Sequence, residues 1–491
     1  MITEILNKVP QELLLITPME EVIAPSFLEL NDLARVDGVD LRVLVVRDCG
    51  RIRACAICYV KRRRHHGLQL TIYELFGYHL HDYSRLFAED EEALDCLMQL
   101  AEQDAKFHHC DMIYWANIPK ELVPSDHWKI TSEMKIFNAK ESEDGWKELY
   151  NRKSIKRFRN KAAKVAPYHV EVIDGVVPLV LMKELSSFHI NRWRFAGSVS
   201  PFVSNKKRKE EYIVHPINKH YLRVMLGDEL LACHYGMKYG KTLLWHTPVI
   251  NPKYLALSPL RLLLGETALY CEKNGLEAID FGLGDEAYKN GYCTVPRITC
   301  TYQRALSLRG QLSSAIALAH QKGIDQLLLD CKSIAKIIKD RFKCARVLKY
   351  ISKKEEGKIA FDKRFVHIST WSEFYDFCLQ RNYPLFMWQY ERFVHDDSLE
   401  FVALADEKHI YSSGWASSKS PFPIGESGEV VELQGRVCLY DFVTPQMFRN
   451  KGYYTALLEA VRMHYGETFI YARVNNKASR KAIERSGFFK L

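Results

Sequence analysis

The chain has 491 residues, of which 47% are hydrophobic and 26% charged, and its formal net charge is +9. This length predicts roughly two to four domains, and the composition is that of a chain that buries cores, which excludes a disordered polymer. No run approaches the roughly 20 apolar residues of a membrane-spanning helix, and the N-terminus lacks a signal-peptide pattern. We therefore expect a soluble, cytoplasmic protein.

The thirteen cysteines are scattered without paired spacing. Cys55 and Cys58 form a CxxC pair, but they lie inside an apolar run that predicts a buried strand. A zinc or redox site requires a second pair or a flanking turn, and neither is present near this pair. We therefore expect reduced thiols and no metal site.

The basic residues are concentrated in a few segments. Residues 152–164 hold seven basic residues and no acidic one, with apolar residues at helical spacing, and further clusters lie at 206–209 and 322–364. Such segments are usually solvated helix faces, and any partner of theirs would be anionic. Nucleic acid is not favoured, because no recognised RNA-binding motif interleaves aromatic residues with these clusters.

Three segments repeat an order of strands, helix, strand and helix. The pattern predicts, in chain order, strands 41–46 and 53–60, helix 91–108, strand 112–115, helices 152–164 and 177–188, strands 221–226, 229–238 and 241–249, helix 259–274, strand 278–281, amphipathic helices within 311–351, a linker at 352–358, helix 371–379, strands 399–405, 409–417 and 437–443, helix 455–465, strand 469–474 and helix 478–486. We therefore predict an α/β (α+β) fold of several related units, with mixed central sheets flanked by helices. The predicted domains are 1–145, 146–310, a basic helical linker 311–358, and 359–491.

The sharpest motif lies in the last domain, where strand 437–443 leads into the loop Arg449-Asn450-Lys451-Gly452-Tyr453-Tyr454 and then a helix. A glycine-containing turn between a strand and a helix exposes backbone N–H groups at the helix N-terminus. Together with the helix dipole, these groups bind anions such as a pyrophosphate. Asn476 and Ser479 follow at the start of the next helix.

Residues 359–491 thereby resemble the GNAT superfamily of acyl-CoA-dependent acyltransferases. The resemblance implies acetyl-CoA or another acyl-CoA as cofactor, with the Val443 N–H bound to the thioester carbonyl. The cofactor-binding residues that it implies are Val443, Arg449, Asn450, Lys451, Gly452, Tyr453, Tyr454, Asn476 and Ser479. Tyr454 stands where the family has glycine or alanine, and Ile483 stands where many members carry a tyrosine general acid.

An amine acceptor is protonated at neutral pH, so acyl transfer requires a base or a water chain. Asp441 has the same strand parity as Val443 and is our candidate base; Glu432 and Tyr440 are weaker candidates. The alternative for Asp441 is a structural role, capping a turn or pairing with a lysine.

Residues 41–120 and 145–303 resemble the CelD/BcsL-like acyltransferase family of polysaccharide biosynthesis. The residues that carry the resemblance are Gly77, His81-Asp82-Tyr83 after the basic loop 62–66, the basic helix 154–164, His189-Ile190-Asn191-Arg192-Trp193, and the segment 280–289 from Asp280 to Lys289. The family implies paired GNAT-like folds similar to the FemABX peptidyltransferases. We predict His189 as a second candidate base and Arg192, Trp193, Asp280, Tyr288 and Lys289 as substrate-binding residues. The alternative is that Gly282 and Gly284 only form a tight turn, with Tyr288 in the core and His189 structural.

We therefore predict an acyltransferase that moves an acyl group, expected to be acetyl, from acyl-CoA to an amine or hydroxyl of a biosynthetic intermediate. The family association suggests a nucleotide sugar or polysaccharide precursor as the small-molecule acceptor, with an acyl carrier protein as an alternative donor. Two other hypotheses stay open. The first is a FemABX-like peptidyltransferase that uses aminoacyl-tRNA. The second is one active GNAT domain joined to a non-catalytic binding module.

Overall fold

The structure is a computed structural model that describes residues 1–14, 24–37, 39–77, 81–125, 128–195, 197, 199–204, 219–284, 286–321, 346–352 and 362–491. The predicted basic cluster 206–209, residues 353–358 of the linker predicted at 352–358 and much of the predicted helical segment 311–351 lie outside these residues. The chain divides into two compact units. Unit 1 comprises Met1–Arg192 and Val199–Asp325, and unit 2 comprises Trp193–Ser198 and Gln326–Leu491.

Thirteen strands of unit 1 form a single sheet, in the order β1-β2-β3-β4-β6-β13-β7-β12-β11-β10-β9-β8 with β5 beside β3. The strands are β1 Ile2–Leu6, β2 Arg42–Asp48, β3 Arg51–His65, β4 Leu68–Leu75, β5 Leu86–Ala88, β6 Met112–Pro119, β7 Lys129–Asn138, β8 Tyr168–Asp174, β9 Lys219–Leu226, β10 Glu229–Tyr239, β11 Thr242–Ile250, β12 Ala278–Asp280 and β13 Val295–Ala305. Strands β2, β6, β9 and β10 are buried along most of their length, in agreement with their near-continuous apolar runs.

Helices cover this sheet. They are α1 Gln11–Leu14, α2 Phe27–Asp37, α3 Glu91–Phe107, α4 Lys147–Tyr150, α5 Lys153–Val165, α6 Leu179–Phe195, α7 Pro201–Ser204, α8 Pro259–Lys273, α9 Ala287–Asn290 and α10 Leu308–Gln321, with 3₁₀ turns at Lys120–Leu122, Ala139–Glu141 and Pro252–Leu257. Helix α5 is the predicted basic helix, and it buries Ile155, Phe158 and Ala162 while its basic side chains face outward. Among the residues that the structure describes, no helix is long and apolar enough to cross a membrane.

The sheet of unit 1 runs without a break through both predicted domains. Strand β13, from the second predicted domain, pairs with β6 on one side and with β7 on the other. Strand β7, from the first predicted domain, pairs in turn with β12. Each half therefore completes its sheet with a strand of the other half, and the division at 145 stays a prediction.

Unit 2 contains a seven-stranded sheet in the order β15-β16-β17-β20-β21-β14-β22, and a separate two-stranded sheet of β18 and β19. Its strands are β14 Val347–Ile351, β15 Phe365–Ile368, β16 Glu400–Ala405, β17 Ile410–Ser417, β18 Phe422–Ile424, β19 Glu429–Val431, β20 Val437–Val443, β21 Thr468–Arg473 and β22 Phe489–Lys490. Its helices are α11 Trp371–Gln380, α12 Met387–His395, α13 Tyr453–Tyr465 and α14 Lys477–Arg485, with a 3₁₀ turn at Gln446–Phe448.

Three strand pairs among the described strands are parallel, and each predicted repeat contains one of them. They are β4 with β6, β11 with β12, and β20 with β21, and each pair is in register over three residues. A helix connects the two strands in every case, as a parallel pair requires: α3, α8 and α13 respectively. The predicted fold class, mixed α/β sheets flanked by helices, is confirmed.

One secondary-structure prediction is wrong. Residues 347–351 are predicted as part of an amphipathic helix, but they form β14, which pairs with β21 and β22. The segment is rich in β-branched and aromatic residues, and pairing with two strands that are distant in sequence overrides any local helical preference. The start of the predicted helical segment is correct, because α10 covers Leu308–Gln321.

Candidate functional site

A cavity of about 860 Å³ opens in unit 2 where two parallel strands separate. Strands β20 and β21 pair only from Val437 and Thr468 to Leu439 and Ile470. Beyond that point both strands continue, and residues 440–443 and 471–473 line the cavity. A volume of this size accommodates a large cofactor.

A bulge in β20 shapes one wall of the cavity. Between β17 and β20 the register shifts, so that Asp441 and Phe442 together stand opposite Gly414. Asp441 has a φ of +51°, and a Cβ on Gly414 would lie 2.6 Å from the Phe442 ring. All four residues 440–443 line the cavity, including Asp441 and the 51% exposed Val443, so strict strand alternation does not hold beside the bulge.

The N-terminus of α13 forms a second wall. Gly452 is the N-cap residue with a φ of +82°, and no side chain caps the helix there. The first intrahelical bond runs from Ala456 N to Gly452 O, so the preceding backbone amides of the helix have no intrahelical acceptor. Residues 452–455 line the cavity, which places these donors and the positive end of the helix dipole at its surface.

Helix α13 is held in this position by the core of unit 2. Leu457, Leu458 and Val461 are buried and pack with Leu439 and Ile470, the last paired residues of β20 and β21. Gly466 ends the helix with a φ of +75°. The helix therefore begins at the cavity because its apolar stripe packs over the strands that open to form it.

The charges around the cavity are of both signs. Arg449, Arg473 and Arg485 line it, as do the acidic Glu426 and Asp441. Arg449 donates through Nε to the Thr444 carbonyl at 3.1 Å, which ties its side chain to the loop. Lys451 does not line the cavity, and its Nζ lies 5.9 Å from the centre of the Phe448 ring.

Two hydroxyl groups meet between α13 and α14. Tyr454 Oη lies 3.0 Å from Ser479 Oγ, and both residues line the cavity. Asn476 caps α14, because its Oδ1 accepts from the Ser479 N–H at 3.1 Å. Burial raises the pKa of Tyr454 to about 12, so the phenol is protonated at neutral pH. Ile483 is fully buried in the core.

Asp441 is paired with an arginine. Arg392 Nη2 donates to Asp441 Oδ2 at 2.5 Å. The Arg392 guanidinium also lies over aromatic rings, at 4.7 Å from the centre of Trp388 and 5.2 Å from that of Tyr440. Sequence reasoning missed Arg392, because it comes from α12, a helix that the pattern did not predict. Of the two weaker candidates, Tyr440 lines the cavity, and Glu432 accepts a hydrogen bond from Ser420 Oγ.

In unit 1, two of the predicted substrate-binding residues hold the loop after β12. Asp280 is fully buried; its Oδ1 accepts from the Gly282 N–H at 2.8 Å and its Oδ2 from the Tyr83 hydroxyl at 2.6 Å. Lys289 is 3% exposed and donates to the carbonyl oxygens of Leu283 and Gly284. These contacts organise the loop from within the protein.

Asp82 lies against the same loop, and it is absent from the predicted site residues. Its Oδ2 accepts from the Leu283 N–H at 3.2 Å, and a Cβ on Gly282 would lie 1.9 Å from that oxygen. Burial, which outweighs the hydrogen bond from Leu283, raises the pKa of Asp82 to about 7. The sequence motif His81-Asp82-Tyr83 is visible, but its contact with a loop about 200 residues away depends on the topology.

A second cavity, of about 450 Å³, lies at the N-terminus of α8 in unit 1. Arg152 and Arg261 line it together with Ser258, Tyr292 and the predicted substrate-binding residue Tyr288. These two arginines are also absent from the predicted site residues.

The other residues predicted from the CelD/BcsL-like resemblance lie on α6, and Trp193 is the first residue of this helix that belongs to unit 2. Arg192 donates through Nη1 to the Pro248 carbonyl at 3.0 Å, at the end of β11. His189 is 8% exposed, and its Nδ1 lies 2.8 Å from Ser200 Oγ. Trp193 is half-buried near the end of the helix.

One family model matches part of the chain. Residues 151–290 match the family model of the acetyltransferase (GNAT) domain. This stretch contains the second cavity and the loop after β12, and it coincides with most of the second predicted domain. The match confirms a resemblance of this stretch of unit 1 to GNAT acyltransferases and supports acyl transfer as the class of reaction. The resemblance of residues 359–491 to the same superfamily stays a prediction. The narrower CelD/BcsL-like assignment stays a prediction.

Solved structures similar to this chain have low identity to it. FemX has 11% identity and a TM-score of 0.41, covering 58% of this chain and 94% of its own. L-PGS from Bacillus licheniformis has 12% identity and a TM-score of 0.39, covering 60% and 96%. A tandem GNAT protein from the clavulanic acid biosynthesis pathway has 9% identity and a TM-score of 0.34, covering 54% and 83%. No curated protein matches the chain.

Proposed function

We propose that the protein transfers an acyl group, acetyl in the simplest case, from an acyl-CoA bound in unit 2 to an amine or hydroxyl of a biosynthetic intermediate. The observation that carries the proposal is the uncapped N-terminus of α13, which faces a cavity formed by two separating parallel strands. Free amides at a helix N-terminus bind phosphate groups, and the cavity has the volume for the rest of the cofactor.

The cofactor would bind through two kinds of contact. Its pyrophosphate would accept hydrogen bonds from the backbone N–H groups that follow Gly452, with Arg449 adding positive charge. Its pantetheine arm is an extended chain with two amides. That arm would lie between the separated ends of β20 and β21, where unpaired strand edges present backbone donors and acceptors. Asn476 and Ser479 would border the arm from α14.

The chemistry then requires three functions from the chain. The acceptor nitrogen or oxygen attacks the thioester carbonyl carbon, the carbon–sulfur bond breaks, and the acceptor loses a proton. The Val443 N–H would stabilise the developing oxyanion. Asp441 would receive the proton, directly or through water, once the acceptor displaces Arg392 from its carboxylate. The protonated Tyr454 hydroxyl would donate a hydrogen bond to the leaving sulfur.

We infer that the acceptor is a sugar or polysaccharide precursor, which rests on the family resemblance of unit 1. Within unit 1, the cavity lined by Arg152, Arg261 and the N-terminus of α8 would fit an anionic group, for example a sugar phosphate. Arg192, Trp193 and Tyr288 remain candidate substrate-binding residues, and His189 a candidate base. For Asp280 and Lys289 the contacts described above favour a positioning role.

The proposal is tested by measuring thiol release from acetyl-CoA in the presence of amino sugars, sugar phosphates and nucleotide sugars. We expect acceptor-dependent release by the wild-type chain and none by Gly452→Glu, which places a carboxylate at the phosphate-binding amides. Transfer from an aminoacyl-tRNA, with no thiol release from any acyl-CoA, would instead establish the peptidyltransferase hypothesis. Transfer only from an acylated carrier protein would mean that the donor is the carrier protein rather than acyl-CoA, while the proposed acyl transfer would still hold.

A further inference from the structure

A group of two histidines and one glutamate lies in unit 2 on residues that do not line the large cavity. His367 is on β15, Glu400 is on β16, and His464 is in the last turn of α13. One ligand atom from each of the three side chains lies within 4.8 Å of the other two. His367 Nδ1 and Glu400 Oε2 are 3.7 Å apart.

The fold brings these residues to one face of the sheet. In the antiparallel pair of β15 and β16, His367 is opposite Val402, so it shares a face with Val402 and with Glu400 two residues away. Val402 is buried in the core beneath α13. His464 follows Val461 by three residues along the buried stripe of that helix, which directs it toward the same face.

Neighbouring side chains hold the three ligands. The rings of His367 and His464 are 4.5 Å apart, and Phe365 lies against both of them. The Tyr465 hydroxyl donates to Glu400 Oε2. Metal-binding carboxylates and imidazoles are commonly oriented by such outer contacts.

We propose that His367, Glu400 and His464 bind a divalent first-row transition metal ion, with zinc as the reference ion. Two ligand atoms bound tetrahedrally to zinc at about 2.0–2.1 Å lie about 3.3 Å apart, so small side-chain rotations close the observed spacing. Two imidazoles and one carboxylate suit zinc and its neighbours, whereas calcium and magnesium prefer oxygen ligands alone. Water would complete the coordination, because two of the three side chains are exposed.

The position of the site on α13 also favours a bound cation. The site lies at the C-terminal end of α13, where the helix dipole stabilises positive charge. The same helix thus presents its positive end to the proposed cofactor site and its negative end to the metal site, about 20 Å apart for 13 residues.

The test is calorimetric titration of zinc chloride into the tag-free full-length chain after chelator treatment. We expect one zinc equivalent that is lost in His367→Ala and in His464→Ala and retained in His169→Ala. His169 is the matched control, because it is an exposed histidine 3.3 Å from Glu171. Tyr465→Phe should weaken zinc binding by roughly 10- to 100-fold, the usual effect of removing an outer contact.

Cobalt titration gives a second readout, because cobalt bound in a tetrahedral or five-coordinate site absorbs in the visible range. The band should be absent from the two histidine variants, whose thermal unfolding without metal serves as the folding control. Zinc stoichiometry that is the same in the wild type and in both histidine variants would overturn the proposal. So would the absence of any zinc binding to the wild-type chain.

Discussion

The Tyr83 hydroxyl donates a 2.6 Å hydrogen bond to Asp280 Oδ2, although the two residues are 197 positions apart in the chain. Tyr83 lies in the first predicted domain, 1–145, and Asp280 ends β12 in the second, 146–310. Both side chains are fully buried. The bond therefore joins the two halves of unit 1 at the loop where β11 and β12 cease to pair.

Removing this hydroxyl should destabilise unit 1. In Tyr83→Phe, the buried Asp280 carboxylate loses its shortest hydrogen bond, which should lower the free energy of unfolding by about 1–3 kcal/mol. Urea unfolding of Tyr83→Phe, Asp280→Asn and the double variant forms a cycle. The double variant should be less destabilised than the sum of the two singles, because the residues are in contact. Strict additivity would contradict the contact.

Gly282 should tolerate no side chain. A Cβ there would lie 1.9 Å from Asp82 Oδ2, and the backbone has a φ of +62°. Gly50 is a matched control, because its φ is +82° but nothing lies within 4 Å of the added Cβ. Gly50→Ala should cost only the backbone strain of about 1 kcal/mol, whereas Gly282→Ala should cost several times more or prevent folding. Equal shifts of the urea midpoint would show that Asp82 does not pack against Gly282.

The carboxyl group of Asp82 should make stability fall as pH rises. Its pKa is about 7 in the folded chain and about 3.9 when unfolded, so the folded state binds the proton more tightly. The resulting stabilisation is full below about pH 4 and is lost as pH rises toward 7, by at most about 4 kcal/mol. Asp280, Glu286, Lys289 and His246 are the titratable groups around it.

Asp82→Asn keeps an oxygen for the Leu283 N–H and removes the titration. Its urea midpoint should therefore rise relative to the wild type between pH 4 and pH 8. Asp406→Asn is the control, because a hydrogen bond from the Tyr411 hydroxyl lowers the pKa of that carboxyl, so no such gain is expected above pH 4. A pH-independent difference between Asp82→Asn and the wild type would contradict the raised pKa.

The hydroxyl of Tyr454 should affect turnover more than cofactor binding. Tyr454→Phe removes one hydrogen bond to Ser479 and the proposed donor to the leaving sulfur, so kcat should fall by roughly 10- to 100-fold. The dissociation constant for acetyl-CoA should change less than about threefold. Tyr411→Phe provides the control, because Tyr411 does not line the cavity. A fall in affinity equal to the fall in kcat would assign Tyr454 a binding role instead.

Local patterns predict most of the elements near the candidate site. The strand 437–443, the glycine turn and the helix after it all form close to their predicted bounds, because alternation, glycine and apolar periodicity act over short distances. The cavity-lining position of Val443 and of the predicted loop residues other than Lys451 follows from that local order. Asp441 lines the cavity as its shared parity with Val443 predicts, whereas alternation does not predict that Tyr440 and Phe442, beside the bulge, line it too.

The contacts that the sequence does not predict join distant segments. Strand β14 depends on pairing with β21 and β22, and Arg392 reaches Asp441 from a helix that the pattern does not predict. The metal ligands at 367, 400 and 464 have no regular spacing, because two come from neighbouring strands and one from a helix. Such groupings are set by topology, which single-chain patterns do not encode.

The most direct test of the account is calorimetric titration of acetyl-CoA into the wild type, Gly452→Ala and Gly452→Glu. Both variants carry the same backbone strain at φ +82°, and neither Cβ meets any atom within 4 Å, so they differ mainly in charge at the helix N-terminus. We predict one bound acetyl-CoA for the wild type, retained in Gly452→Ala and lost in the folded Gly452→Glu. Undiminished binding to Gly452→Glu would place the cofactor outside unit 2's cavity and contradict the proposed donor site.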